Sequence, residues 1–266
     1  MKALFQLFLI VSAFFAIWFA LSKIDFTDRY ELDSLSEKNE KKLGSLIWEA
    51  IESTEEVIRK DSVNFIVESI MERICKENEI DFKKVKIHVI DKEEVNAFTL
   101  PDRHLVIYKG LITYSKSPEE VAGVIAHELA HMELNHVMKK LIKEVGLSML
   151  FAITGGNGSF EILREVGKTL SGTAFDREQE READMKAIEL MSKAEIDPTH
   201  LANFLFRLSA NDSDFSDELE LISTHPGSKE RAAQILTEIK NKKIAPIPFE
   251  FGDWEVIRDP EWQGYQ

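Results

Sequence analysis

The segment His127-Glu128-Leu129-Ala130-His131 places two histidines four residues apart with a glutamate after the first. On an α-helix, positions i and i+4 lie about 40° apart around the axis and one turn above each other. Both imidazoles can therefore reach one zinc ion, and Glu128, about 100° around the helix from His127, can lie beside an attacking water. The motif predicts two metal ligands, His127 and His131, and a general base, Glu128.

The residues before the motif predict that it lies at the end of a buried helix. Ser117 can cap the helix and Pro118 suits its first turn. The segment 121–126 is apolar on almost every side, which is typical of a helix buried in a core. Because unpaired buried polar groups cost several kcal/mol, the two histidines and the glutamate need partners, and a metal ion would provide one.

A zinc site of this type needs a third protein ligand and one open position. The charged run 177–184 also has a helical pattern, in which Glu180 and Asp184 share one face because they are four residues apart. Glu180 could bind the zinc while Asp184 accepts the free N–H of a ligand histidine. Spacing alone leaves Glu178 and Glu182 open as alternatives, and it also allows a solvated charged face.

Four motifs in a fixed order resemble one family of zinc peptidases. They are Asn96-Ala97-Phe98-Thr99-Leu100-Pro101 with Tyr108-Lys109-Gly110-Leu111, then His127–His131, then Arg177-x-x-Glu180-x-x-Ala183-Asp184, then Thr224-His225-Pro226 with Arg231. Together they make the chain similar to the zinc peptidases that include HtpX, BepA and the CAAX prenyl protease type 1. The resemblance implies a mostly helical, zincin-like (gluzincin) α+β fold with a small sheet before the active-site helix.

The same resemblance implies roles for individual residues. It makes Glu180 the third zinc ligand, although Asp176 departs from the serine that many members carry there. It implies a position over the active site for His225, which could stabilise an oxyanion or occupy the open zinc position in a resting form. Arg231, one turn into the next helix, could stabilise charge or brace Asp184.

Three short strands are predicted before the active-site helix. Residues 85–90 alternate apolar and polar side chains, with His88 on the polar and therefore solvated face. Residues 96–100 and 104–108 form the other two strands, joined by a turn. An edge strand beside a zinc cleft can pair with an extended peptide, so Asn96, Ala97 and Phe98 are predicted to bind substrate.

The remaining segments are predicted mainly as helices. Residues 35–60 and 63–77 have helical apolar spacing, and 141–153 is expected to be a core helix or a flap near the cleft. His136 lies nine residues after His127, which on a continuous helix points it to the opposite side, so it is not expected to bind metal. The acidic segment 211–220 precedes His225 and is interpreted as a mobile lid.

The first 22 residues are predicted to be an uncleaved transmembrane anchor. Residues 3–21 carry no charge over 19 positions, which is long enough to cross a bilayer. A cleaved signal peptide and a buried helix are the alternatives. Lys2 favours a cytoplasmic N-terminus and an exported catalytic domain, although Lys23 and Arg29 weaken that orientation. Signal cleavage would instead release the protein into the periplasm.

Composition limits the rest of the interpretation. A net charge of −14 without a basic stripe argues against nucleic-acid binding. Because Cys75 is the single cysteine, an intrachain disulfide and a cysteine–zinc site are excluded. The helical pattern around Cys75 predicts that its side chain is buried in the core. One zinc metallopeptidase domain is predicted over 23–244, followed by an irregular tail over 245–266 that wraps the domain or binds a partner; oligomerisation stays open.

The sequence therefore predicts a membrane-tethered zinc endopeptidase that binds one zinc ion per chain and acts on protein or peptide substrates. By resemblance, these substrates would be misfolded or damaged envelope proteins. The rival interpretation is a chaperone-like or gated binding protein whose zinc site is mostly closed. The glutamate at position 128 favours the enzyme, because binding alone does not require a general base.

Overall fold

A computed structural model of the protein describes residues 37–59, 61–210, 219–242 and 244–259. These residues form a mostly helical α+β domain with one small sheet, as predicted. None of the helices in these ranges has the length and apolar character needed to cross a membrane. The predicted anchor over residues 1–22 and most of the predicted lid over 211–220 lie outside the described residues.

The helices follow in order along the chain. They are α1 (Glu37–Glu52), α2 (Asp61–Glu77), α3 (Lys109–Tyr114), α4 (Pro118–Glu133), α5 (His136–Val145), α6 (Leu147–Ala152), α7 (Phe160–Gly172), α8 (Arg177–Lys193), α9 (Thr199–Ala210), α10 (Glu220–Thr224), α11 (Ser228–Ile239) and α12 (Trp254–Ile257). A short 3₁₀ turn (Phe82–Lys84) follows α2, and a single π turn (Ile153–Asn157) follows α6.

The sheet has three strands, β1 (Lys86–Ile90), β2 (Ala97–Leu100) and β3 (His104–Tyr108), in the order β1-β3-β2. Strand β3 pairs with β1 in parallel and with β2 antiparallel. Asp102 and Arg103 make the tight β2–β3 turn, both with positive φ (59° and 60°). Strand β2 is thus an edge strand that lies before α4 in the chain, as predicted.

The core forms around α4, which contacts α2, α8, α9 and β2. The Ser117 hydroxyl accepts a hydrogen bond from the Glu120 backbone N–H, so this helix begins where the sequence predicts. Gly123 allows α9 to approach closely, because a Cβ at this position would lie 2.9 Å from the Cβ of Leu201. Cys75 is fully buried, as predicted, and burial raises the pKa of its thiol to about 12.

The prediction of one helix over 35–60 is wrong at its C-terminal end. Helix α1 ends at Glu52 because the Ser53 and Thr54 hydroxyls hydrogen-bond the Ala50 and Ile51 carbonyls, over 2.8 and 3.0 Å. The chain then turns extended, and Val57 pairs with the end of β1 instead of continuing the helix.

The prediction that His88 is solvated holds only in part, because the side chain is half-buried. Its ring stacks on Trp48 of α1, with centroids 3.5 Å apart, and its Nε2 lies 2.9 Å from Nδ1 of His104 on β3. Burial lowers the pKa of His88 to about 4 and the pKa of His104 to about 3. Alternation within β1 could not indicate this, because the covering tryptophan belongs to another element.

The segment 141–153 is two helices instead of one. Helix α5 ends at Val145, because Gly146 after it has a φ of 86° that suits a glycine, and α6 follows with Met149 and Phe151 exposed. Further along, the described part of the C-terminal tail packs on the domain. Its contacts include a hydrogen bond from Trp254 Nε1 to the Ser115 carbonyl at 2.9 Å, and Ile257 is buried.

Candidate metal centre

Helices α4 and α8 pack against each other and bring together the two motifs that carry the predicted ligands. Asp176 caps α8 by accepting a hydrogen bond from the Gln179 N–H, in a complete capping box. Ala183 and Ala187 are fully buried at the contact. Their small side chains allow the close approach that brings Glu180 beside the His127–His131 turn.

Four side chains converge at this contact. His131 Nε2 lies 3.1 Å from His127 Nε2, and His225 Nδ1 lies 3.2 Å from His127 Nε2 and 2.9 Å from Glu180 Oε1. One ligand atom from each of these four residues lies within 4.8 Å of the others, and all four side chains are buried. Imidazole nitrogens and a carboxylate oxygen are the ligands that zinc takes in enzymes, so the residues fit the ion.

The three glutamates that spacing left open have different environments. Glu180 is 1% exposed and lies within the cluster. Glu178 is exposed and pairs with Arg181, one turn along the same helix. Glu182 is exposed as well, and its carboxylate lies 3.2 Å from Nε2 of His136. Of the three, Glu180 is the one in the cluster.

Glu128 is fully buried beside the cluster. Neither of its carboxylate oxygens has a hydrogen-bond partner among the described residues, although His225 Nε2 lies 3.3 Å from Oε1. Burial raises the pKa of this carboxyl group, which makes it a better proton acceptor. A buried carboxylate with two unpartnered oxygens fits a site that also holds a metal ion and the water it activates.

Asp184 and Arg231 form the far side of the centre. Asp184 Oδ1 lies 3.1 Å from Nδ1 of His127. Arg231 donates two hydrogen bonds to Asp184, through Nε and Nη2, each 2.7 Å long, and it also contacts Glu180. Although burial opposes ionisation, Arg231 lowers the pKa of Asp184 to about 2. Asp184 is thus a fixed anion behind a candidate ligand.

The charge around His127 favours a cation. Burial and the nearby Arg231 both disfavour an imidazolium here. Hydrogen bonds with Asp184 and Glu180 nevertheless raise the pKa of His127 to about 9. A centre that stabilises a proton on a buried imidazole has the negative potential that a zinc cation also requires.

Sequence reasoning missed the surroundings of His131. Helix α4 ends at Glu133, and Asn135, with a φ of 56°, turns the chain so that His136 begins α5 against His131. The Nδ1 atoms of these two histidines are 3.0 Å apart. The ring of Phe175 also stacks on His131, with centroids 3.9 Å apart. The sequence signal for this chain reversal was Asn135, because asparagine tolerates the left-handed conformation.

The predicted substrate residues Asn96, Ala97 and Phe98 are at most 4% exposed. Helices α4 and α7 both pack against β2, and Asn96 Nδ2 donates to Glu220 Oε2 at 3.0 Å. A cavity of about 560 Å³ opens next to these residues, lined by Phe98, Tyr108 and Glu220 among others. The strand is therefore adjacent to a cavity but is itself covered.

Comparison with known proteins gives consistent matches. The sequence pattern described as "Peptidase family M48" matches residues 62–239. The chain is 28% identical over 173 residues to the Mitochondrial metalloendopeptidase OMA1 of Schizosaccharomyces pombe, covering 64% of this chain and 51% of that protein. It is 29% identical over 164 residues to the Metalloprotease LoiP of Escherichia coli, covering 59% of this chain and 64% of the relative.

A third relative is the Beta-barrel assembly-enhancing protease of Yersinia pestis, 24% identical over 172 residues, with 60% of this chain and 35% of that protein covered. The chain thus spans less than two thirds of the length of each of these relatives. The family match covers more than half of the 266 residues and includes the residues that carry the predicted resemblance. The chain belongs to peptidase family M48, a family of zinc metallopeptidases.

Proposed function

We propose that this protein is a zinc-dependent endopeptidase. The observation that carries the proposal is the convergence of ligand atoms from His127, His131, Glu180 and His225 beside the buried, unpartnered carboxylate of Glu128. A zinc-binding site without catalytic function has no need of that carboxylate, whereas peptide hydrolysis needs a base at this position. One zinc ion per chain follows from the single cluster of this kind among the described residues.

Each residue has one role in the proposed reaction. His127, His131 and Glu180 hold the ion, and Asp184 fixes the orientation of His127 through its Nδ1. When bound, zinc would supply Lewis acidity, polarising the scissile carbonyl and lowering the pKa of the attacking water. Glu128 takes the proton of that water and delivers it to the leaving nitrogen. Arg231 holds Asp184 ionised and keeps the site's negative charge compensated.

The test compares degradation of unfolded casein by the wild type and by Glu128→Gln. The amide cannot accept a proton, so turnover is expected to fall by about 10²–10⁴-fold while zinc content stays near one per chain. Glu178→Gln is the matched control, since Glu178 is exposed on α8 and pairs with Arg181. Near wild-type turnover by Glu128→Gln would show that Glu128 is not the general base. An inactive wild type that binds unfolded protein would instead favour the chaperone-like or gated binding protein.

We also propose that this closed arrangement is a resting form in which His225 fills the fourth zinc position. Its Nδ1 points at the ligand cluster, and the cavity next to His127 and His225 holds only about 10 Å³. That is no more than the volume needed for one water, so a peptide cannot enter without a displacement of His225. Movement of the segment 211–220, which precedes α10 and His225, would open the site as a gate.

The sign of one mutational effect tests this gate. His225→Ala is expected to raise basal proteolysis or self-cleavage, because the fourth position becomes free while His127, His131 and Glu180 still hold zinc. A fall in turnover of about 10²–10³-fold would instead assign His225 to oxyanion stabilisation. No change in either direction would remove His225 from the site.

For substrate binding, we propose that an extended peptide pairs with β2 through Asn96, Ala97 and Phe98. Because α7 packs against this strand, it must shift before a peptide can bind. Hydrogen exchange of Glu128→Gln with and without unfolded casein tests this. Added casein should speed exchange in α7 and slow exchange of the β2 amides, whereas unchanged exchange in both would contradict the proposal.

We propose that the substrates are misfolded or damaged envelope proteins and that residues 1–22 anchor the protein with its catalytic domain on the exported side. The uncharged run 3–21 supports the anchor, and similarity to a beta-barrel assembly-enhancing protease supports an envelope role. The full-length chain should remain in membranes after a high-salt wash. A mature N-terminus at Lys23, found by mass spectrometry, would instead show a cleaved signal and a protein released to the periplasm.

A further inference from the structure

His136 lies where it can control one of the zinc ligands. It is fully buried at the start of α5, because the left-handed Asn135 turns the chain back after α4. Its Nδ1 lies 3.0 Å from Nδ1 of His131, and its Nε2 lies 3.2 Å from Oε2 of Glu182. The three side chains form a continuous row from the centre of the domain to its surface.

The chemistry of imidazole fixes the direction of this row. Nε2 of His131 faces the cluster, 3.1 Å from Nε2 of His127 and 3.5 Å from Oε1 of Glu180. A neutral imidazole that binds metal through Nε2 carries its proton on Nδ1. The Nδ1–H of His131 must therefore donate to His136, whose Nδ1 accepts. The proton of His136 then lies on Nε2, where it donates to Glu182.

The two ligand histidines of α4 are thus held differently. His127 has the carboxylate of Asp184 at its Nδ1, and Arg231 fixes that carboxylate by two hydrogen bonds. His131 has a second imidazole in the same place, and a half-exposed glutamate holds that imidazole. Stacking of Phe175 on the His131 ring restrains its plane but cannot choose its tautomer.

We propose that His136 and Glu182 are positioning residues, which hold His131 in the orientation and tautomer that bind zinc through Nε2. Metal-ligating histidines are generally held through their second nitrogen, and loss of the partner typically costs about 10–100-fold in metal affinity. This inference rests on the proposed zinc site, and it assigns a role to two residues that do not contact the metal.

The experiment measures zinc affinity of the full-length chain, purified in detergent, by competition with a chromophoric chelator. His136→Phe keeps a ring of similar size but has no acceptor for the His131 N–H, so its dissociation constant is expected to rise by about 10–100-fold. His136→Asn keeps an oxygen near the position of Nδ1, and its dissociation constant is expected to stay within about threefold of the wild type. Rescue by asparagine separates hydrogen bonding from simple packing.

A substitution at the exposed end of the row tests the same inference without changing a core residue. Glu182 lies on the surface, so Glu182→Ala should fold normally and raise the dissociation constant by severalfold, while Glu178→Ala on the same helix should leave it unchanged. The visible spectrum of the cobalt-substituted protein should shift in His136→Phe and not in His136→Asn, because the ligand geometry changes only in the former.

Two outcomes would overturn the inference. His136→Phe could bind zinc as tightly as the wild type, or His136→Asn could be as weak as His136→Phe; the second result would reduce His136 to a packing role. Failure of the proposed function looks different, since the wild type itself would then bind no zinc or Glu128→Gln would remain active. A wild type that binds zinc and hydrolyses casein, with unaffected His136 variants, rejects the positioning role alone.

Discussion

The domain contains two histidine clusters that differ in the charged groups around them. In the sheet, His88 and His104 lie 2.9 Å apart beside Lys86, and burial lowers their pKa values to about 4 and 3. Between α4 and α8, hydrogen bonds with Asp184 and Glu180 raise the pKa of His127 to about 9 despite its burial, whereas burial lowers the pKa of the neighbouring His131 well below its usual range. Buried histidines alone therefore do not make a cation site; the carboxylates that face them do.

The largest effect should come from removing a carboxylate from the carboxylate-rich cluster. Glu180→Ala deletes a proposed ligand, so zinc affinity is expected to fall by more than about 100-fold, beyond the usual loss on removing a supporting residue. Glu178→Ala is the matched control and should retain wild-type affinity. If metal analysis found that Glu182→Ala lowers zinc content more than Glu180→Ala does, the assignment of Glu180 as the ligand would be wrong.

Zinc binding should also stabilise the fold, and it should do so through one cluster only. At a free zinc concentration of 1,000 times the dissociation constant, linkage predicts about 4 kcal/mol of added stability. Thermal unfolding with zinc and with a chelator measures this as a shift in Tm. His88→Gln should show the same shift as the wild type, whereas a smaller shift would mean that the sheet cluster also binds the ion.

The sheet cluster should make the stability of the fold sensitive to acid. Unfolded histidine takes up a proton near pH 6.5, but His88 resists protonation in the fold down to about pH 4. The unfolded state then binds more protons between these values, so stability is lost as the pH falls through this window.

Substitution tests this acid effect. Denaturant unfolding at pH 7 and pH 5 should show a steeper loss for the wild type than for His88→Gln, with a difference of about 1–2 kcal/mol. The other charged groups near the pair are the same in both proteins, so a difference between the two pH dependences comes from His88. These groups are Glu52, Arg59 and Lys86. Equal slopes would show that His88 titrates normally in the folded protein.

Features set by local sequence could be predicted, and features set by packing between helices could not. The start of the helix over Pro118–Glu133 follows from local signals, a serine cap and an apolar run, and the helix begins where they predict. The proximity of Glu180 to the histidines required a family resemblance, because three glutamates on one helix differ only in which face packs inward. The family itself is confirmed by the match over 62–239.

The failures at the two histidines share one cause. His88 lies on the polar side of an alternating strand, and the packing of Trp48 from another helix partly buries it. His136 would point away from the metal on a continuous helix, but a single left-handed residue, Asn135, turns it back onto His131. Periodicity describes one element at a time, so contacts made across elements or after a backbone reversal lie beyond it.

The most direct test of the account is the zinc environment itself, measured by X-ray absorption spectroscopy on the zinc-loaded full-length protein. We expect one zinc with three imidazoles and one carboxylate in the resting wild type, and two imidazoles in His225→Ala. The distances should be about 2.0–2.1 Å for nitrogen. A zinc ion with the same number of imidazoles in both proteins would contradict the proposed role of His225, and failure to retain stoichiometric zinc would contradict the metal centre itself.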